Sequence, residues 1–110
     1  MKNIYLNIHK PNLVNLKKAK KIVENNSVIG IPTETVYGLA GNAYSNKSSQ
    51  KIFKLKKRPL LNPLIIHFNK LKDSKNDVVF NDSFIKLYKI LCPGPITFIL
   101  KKRKNRKFLK

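Results

Sequence analysis

Two clusters in this chain carry the side-chain types that chemistry needs. Thr33, Glu34 and Thr35 follow directly on the apolar run 28–31 and Pro32, which sets two hydroxyls and a carboxylate at the end of a predicted strand. Strand ends that open on a crevice are where open α/β sheets receive ligands. Hydroxyls there can hydrogen-bond a small polar substrate, and free helix N–H groups can take its carboxylate. Thr is also a good helix N-cap, so the residues alone leave both roles open at Thr33. The second cluster is Lys56 and Arg58, flanking Lys57 at the end of a predicted helix and followed by Pro59 and Asn62. A lysine point charge beside a planar arginine fork suits a chain of phosphates. Cations that follow charge as it develops on a transferring phosphoryl group stabilise that transition state. Cations also favour helix C-termini through the macrodipole, so a solvated helix end is the competing reading.

Three further residues carry side chains that could do chemistry. His67 lies on the predicted strand after the second cluster, where a lone histidine on an apolar strand is more often a core group. His9 has no supporting pattern around it. Cys92 reads as a small apolar residue, because no partner base stands near it in the sequence. The same three residues cannot assemble a Cys/His metal-ligand cluster, and no catalytic residue stands out.

The elements that must position these groups follow from periodicity. Residues 4–8 alternate apolar and polar and predict an edge strand. Leu13, Leu16, Ala19 and Val23 recur at helical spacing, with Lys17, Lys18, Lys20 and Lys21 largely outside that stripe. Asn25-Asn26-Ser27 closes this helix, and 28–31 is a short buried strand. Residues 33–39 are expected to enter a short helix, and 47–57 to form a second amphipathic one. Arg58-Pro59 ends it, since the residue before proline avoids the α region. Residues 64–68 predict a strand, and strand–helix–strand order implies a crossover unit. Residues 69–82 read as polar loop. Phe84, Leu87, Tyr88 and Leu91 mark a third helix capped by Asp82 or Ser83, broken by Cys92-Pro93-Gly94-Pro95. Residues 96–100 predict a last strand and 101–110 a solvated basic tail. The organisation expected is one partial domain over 1–102 and a basic tail over 103–110.

Composition bounds the class. The 110 residues suffice for one small domain or part of one. A 42% hydrophobic content argues for a folded chain. No run approaches the roughly 18 apolar residues of a membrane span, and the first residues have no apolar signal core. One cysteine fits a reducing, cytoplasmic setting. The net charge is +19, from 24 basic and 5 acidic residues. Such charge points to an anionic partner, nucleic acid or nucleotide. Yet 21 of the cations are lysine, whereas specific nucleic-acid readers favour arginine. Most of the charge therefore reads as the composition of AT-rich coding, with nonspecific, salt-sensitive binding to RNA as its consequence.

The stretch 29–68 also carries a resemblance. PTETVYGL followed by KxRPxxNPLIIH resembles the YrdC-like L-threonylcarbamoyladenylate synthases, and the likeness runs from about residue 11 to about residue 102. It implies an α/β fold, a twisted mixed sheet with flanking helices, as the N-terminal half of a YrdC-like domain. The activity implied is formation of L-threonylcarbamoyl-AMP from L-threonine, bicarbonate and ATP. A separate transferase would then pass the threonylcarbamoyl group to tRNA. By the same resemblance Lys56, Arg58 and Asn62 bind ATP, and Thr33, Tyr37 and His67 form the threonine end of the pocket. ATP enters as substrate, with magnesium bridging its phosphates. Two departures stand against this: Leu61 occupies a usually acidic position, and no Ser-Ala-Asn motif occurs. An inactive truncated remnant, a double-stranded RNA or tRNA-binding module without catalysis, and a carbamoyl-transfer domain of hydrogenase maturation remain alternatives.

Overall fold

The computed structural model describes residues 8–59 and 61–104. The chain divides between Pro63 and Leu64 into two compact units. In the first, α1 spans Leu13–Glu24 and starts where the Asn12 side chain accepts from the Asn15 N–H at 2.9 Å. Its half-buried row is Asn15, Ala19 and Val23, one residue per turn, and the helix packs on the next strand. It ends as sequence reading expects. The Ser27 N–H bonds the Ile22 carbonyl and the Asn26 N–H bonds that of Val23, with Asn26 left-handed at φ 61°. Asn tolerates that conformation better than most residues, which is why a helix can close on it.

Strand β1 (Ile29–Ile31) pairs antiparallel with β2 (Gly38–Ala40), Gly30 facing Leu39. The helix expected over 33–39 is thus corrected to a hairpin loop and a strand. Residues 38–40 find ladder partners in β1, whereas a helix this short would leave most of its terminal N–H and C=O groups open. Next, α2 (Asn46–Lys56) is capped by the Ser45 hydroxyl accepting from the Ser48 N–H at 3.2 Å. It buries Ser48, Ser49 and Ile52. Gly41 permits this packing, because a Cβ there would stand 3.1 Å from Ser48 Cβ.

The second unit holds a 3-10 turn, Leu71–Ser74, inside the stretch expected to be loop, and α3, Asp82–Leu91. The cap of α3 is corrected to Asn81, whose side chain accepts from the Phe84 N–H at 2.8 Å. Phe84 is the buried apolar centre, with ring centroids of Phe98, Phe80 and Tyr88 at 4.8, 5.2 and 6.0 Å.

Two predicted strands take another form. Residues 64–68 and 96–100 have no ladder partner among the described residues, so neither is a strand there. Burial still alternates along 64–68, and from Thr97 to Leu100, as extended backbone dictates. Apolar alternation specifies an extended conformation, whereas a strand also needs a neighbour. Residues 101–103, at the start of the basic run, make backbone pairings. Lys101 O accepts from Val79 N–H at 2.8 Å, Lys102 bridges Val78, and the Arg103 N–H donates to Asp77 O at 2.9 Å. Arg103 Nε also donates to Lys75 O at 2.9 Å. Most of the predicted edge strand 4–8 and the remainder of the tail, 105–110, lie outside the described residues.

Gly94 offers a direct test of the turn that ends α3. A Cβ at this position would stand 2.5 Å from the Leu91 carbonyl oxygen, which is backbone and cannot swing aside. Gly94→Ala should lower stability by about 1–3 kcal/mol, the usual cost of overpacking. Thermal melting of wild type and variant checks this, with a loss of several degrees expected and an unchanged midpoint counting against it.

Candidate active site

The loop 32–37 joins β1 to β2 and presents the first cluster. The Thr33 hydroxyl donates to the Val36 carbonyl, and its oxygen accepts weakly from the Thr35 N–H at 3.4 Å. The Thr33 methyl stands toward Gly38, where an added Cβ would lie 3.5 Å from it. Thr33 therefore shapes the loop rather than capping a helix, and its hydroxyl proton is already engaged. A substrate donor can still reach the remaining lone pair. Glu34 and Thr35 are exposed, and Tyr37 is 81% exposed, so its ring stands in solvent instead of packing on neighbouring residues.

The second cluster is built by the way α2 stops. Lys57 takes a left-handed conformation, φ 50° and ψ 37°, and its N–H returns to Lys54 O while the Arg58 N–H returns to Phe53 O at 3.0 Å. These two bonds form the Schellman closure, usually made with glycine because a Cβ strains it. Lys56 is exposed in the last turn of α2, where the carbonyl end of the dipole favours a cation. The chain then reverses through a turn in which the Asn62 N–H donates to Pro59 O at 3.0 Å. Arg58 closes that turn, its Nη2 donating to Pro63 O at 3.1 Å. Its Nε is buried and without a hydrogen-bond partner. The guanidinium thus spans the turn and keeps unused donors. Asn62 and Leu61 are exposed, Leu61 at 93%.

The structure brings Thr33 and Tyr37 together on one loop, and Lys56, Arg58 and Asn62 together at one helix exit. His67 belongs to the second unit, on the exposed side of the alternating segment 64–68. His9 is exposed, and Cys92 is a free, half-buried thiol whose N–H closes α3 on Tyr88 O. Sequence reading did not reveal the Arg58 clamp on Pro63. Its acceptor is a backbone carbonyl, which leaves no mark on residue type; only the Arg-Pro spacing before a second proline hints at a turn to be closed. Among the described residues, no group of three or more His, Cys, Asp or Glu could hold a metal ion, and no helix is long and apolar enough to cross a membrane.

A small α/β chain with a hydroxyl-bearing hairpin loop and a cationic helix exit is what the fold and the site define together. Residues 21–110 match the Sua5/YciO/YrdC family model, described as telomere recombination, and the chain belongs to that family. It is 36% identical over 90 residues to the threonylcarbamoyl-AMP synthase of Pyrococcus abyssi, covering 79% of this chain and 26% of that one. A Methanocaldococcus jannaschii relative is 31% identical over 107 residues, covering 94% of this chain and 52% of that protein. The chain thus spans about half the length, or less, of these relatives. The crystal structure of P. abyssi Sua5 complexed with L-threonine superposes with a TM-score of 0.80 at 30% identity, covering 89% of this chain and 29% of that chain. The α/β class expected from sequence is therefore the one observed.

Proposed function

We propose that this chain provides part of a threonylcarbamoyl-AMP-forming site, using ATP, L-threonine and bicarbonate for tRNA modification. The observation that carries this reading is the superposition on a relative complexed with L-threonine, over nine-tenths of the present chain. In the reaction, the threonine amine and bicarbonate give a carbamate with loss of water. A carbamate oxygen attacks the α-phosphorus of ATP, the bond to the β-phosphate oxygen breaks, and pyrophosphate leaves. Lys56 and Arg58 take the phosphates, the first as a mobile point charge and the second with the donors its turn contact leaves unused. Asn62 borders them on the same turn. Thr33 offers its lone pair to the threonine ammonium or hydroxyl, with Tyr37 on the same loop. Magnesium would travel on the ATP phosphates, while the cations this chain itself brings to them are Lys56 and Arg58. The threonylcarbamoyl group passes next to a separate transferase acting on tRNA, and a cytoplasmic setting goes with that partner. The test is pyrophosphate release by the chain supplied with the rest of the family domain, which should require both threonine and bicarbonate; release indifferent to either one would refute the reading.

A second property is favoured by α1, whose Lys17, Lys18, Lys20 and Lys21 are all exposed, with Lys20 3.6 Å from Glu24. Binding to tRNA or other RNA through these side chains should be nonspecific. Changing all four to Gln should flatten the plot of log affinity against log salt by about 3 units, since each phosphate contact accounts for roughly 0.7–0.9. A preference for tRNA over unrelated RNA of equal length that persisted at high salt would contradict this.

A further inference from the structure

No residue of α1 is fully buried, and its apolar side chains are not confined to the side that packs. The half-buried row Asn15, Ala19 and Val23 turns toward the protein. At 100° per residue, the opposite side carries Leu13, Val14, Lys17, Lys18 and Lys21, all exposed. Leu13 is 70% exposed and Val14 64%, and Ile8 just before the helix is 67% exposed. The approach to the helix is held in place, because Lys10 O accepts from the Asn12 N–H at 2.8 Å and from Asn15 Nδ2 at 2.9 Å. Lys10 is exposed as well, and the one acid of the helix, Glu24, pairs with Lys20. The outward side of α1 is therefore an apolar first turn followed by a cationic stretch. Helices of this kind lie on membrane surfaces. Their apolar side chains enter the boundary below the headgroups, and lysines lay their stems along it with the ammonium ends at anionic headgroups.

Charge complementarity selects the occupant. A second copy would bring +19 against +19, and repulsion of that size opposes self-association. RNA phosphates match the lysines but leave Leu13 and Val14 in water. A bilayer with anionic headgroups answers both halves of the pattern. We infer that the outward side of α1 docks on anionic lipid surfaces, with its lysines at the headgroups and Ile8, Leu13 and Val14 in the interface. The helix rests on the bilayer and does not cross it, since its 12 residues are too few for a span. The inference goes beyond the proposed reaction and does not depend on it, because docking needs neither ATP nor threonine.

The test is co-sedimentation of the 110-residue chain, at physiological ionic strength, with vesicles of phosphatidylcholine alone or mixed equally with phosphatidylserine. Binding should require phosphatidylserine. Changing Lys17, Lys18, Lys20 and Lys21 to Gln should weaken it at least about 100-fold, from roughly fivefold per lysine at an anionic surface. The same change at Lys72, Lys75, Lys86 and Lys89, exposed in the second unit, should cost far less. Leu13→Gln with Val14→Gln keeps every charge, yet should weaken vesicle binding about 10- to 100-fold through lost apolar burial. That pair should leave RNA binding and circular dichroism as in wild type, since both side chains are exposed. The sequence has no tryptophan, so Leu13→Trp supplies a single emission band. It should shift to the blue on phosphatidylserine vesicles and stay in place on RNA. Equal losses from the two lysine sets would reduce the attraction to diffuse charge and overturn the inference. So would a Leu13/Val14 variant that binds vesicles like wild type, or an emission that does not move on vesicles. A blue shift on RNA alone would give this face to nucleic acid and overturn it too.

Discussion

The 110-residue polypeptide on its own should release little or no pyrophosphate from ATP in the presence of threonine and bicarbonate. Activity should appear once the part of the family domain outside the match is supplied, as a second chain or a fusion. The reason lies in what surrounds the two clusters. Thr33, Glu34, Thr35 and Tyr37 are exposed on the hairpin loop, and Lys56 and Asn62 are exposed at the exit of α2. Phosphates held there would remain in water, where a charge pair at 4 Å is worth about 1 kcal/mol against about 4 kcal/mol at the effective dielectric of a protein surface. Electrostatic stabilisation of a developing charge depends on donors fixed in a water-poor site. Reactants that are not held in line also forgo the rate gain of positioning. In the completed enzyme, Lys56→Ala should lower turnover by about 10²–10³-fold, the usual loss when one donor to a transition-state charge is removed. The measurement is a coupled pyrophosphate assay with threonine and bicarbonate each omitted in turn. Robust turnover by the short polypeptide would show that the second part contributes nothing essential to the chemistry.

Replacing Arg58 with alanine should weaken ATP binding by about 10- to 150-fold, as expected for losing a charged hydrogen-bonding contact worth about 1.5–3 kcal/mol. Lys54→Ala, on the same helix but outside the cluster, should change binding less than about threefold. Arg58 also closes the 58–63 turn through Pro63 O, so its loss should lower the melting temperature as well. Arg58→Lys separates the two roles. Lysine restores a positive charge but has neither the planar fork nor the reach to serve phosphate and carbonyl together. It should recover part of the stability and little of the ATP affinity. Titration calorimetry at fixed salt, paired with thermal melts, reads both quantities. Equal losses of affinity from Arg58→Ala and Lys54→Ala would mean that the attraction is diffuse charge alone.

Helices were the most legible part of this chain, because their determinants are local. The spacing of Leu16, Ala19 and Val23, the Asn25-Asn26-Ser27 ending, and Pro59 after Arg58 act over a few residues. They led to α1 and to both ends of α2 within about a residue. The cap of α3 lies one or two positions before the expected Asp82 or Ser83, since Asn81, Asp82 and Ser83 all have capping side chains and only backbone geometry chooses among them. The family could also be read from the sequence, in PTETVYGL and KxRPxxNPL, because these motifs retain residue types that packing alone does not require.

Strands and contacts depended on partners distant in sequence. Gly38–Ala40 became a strand because Ile29–Ile31 lay alongside, and this turned an expected helix into a hairpin. Residues 64–68 and 96–100 have the alternation of strands but no neighbour among the described residues, and a periodicity cannot state whether one will be there. Thr33 and Arg58 illustrate the same limit at the site. Their side-chain types marked them as binding groups, yet their observed partners are the Val36 and Pro63 carbonyls. The amino-acid sequence by itself determined the helices, the charge and the family, through interactions spanning a turn or two. The tertiary structure decided which extended segments pair and which donors remain for a ligand, because both depend on backbone groups that are the same in every residue and differ only in where the fold puts them.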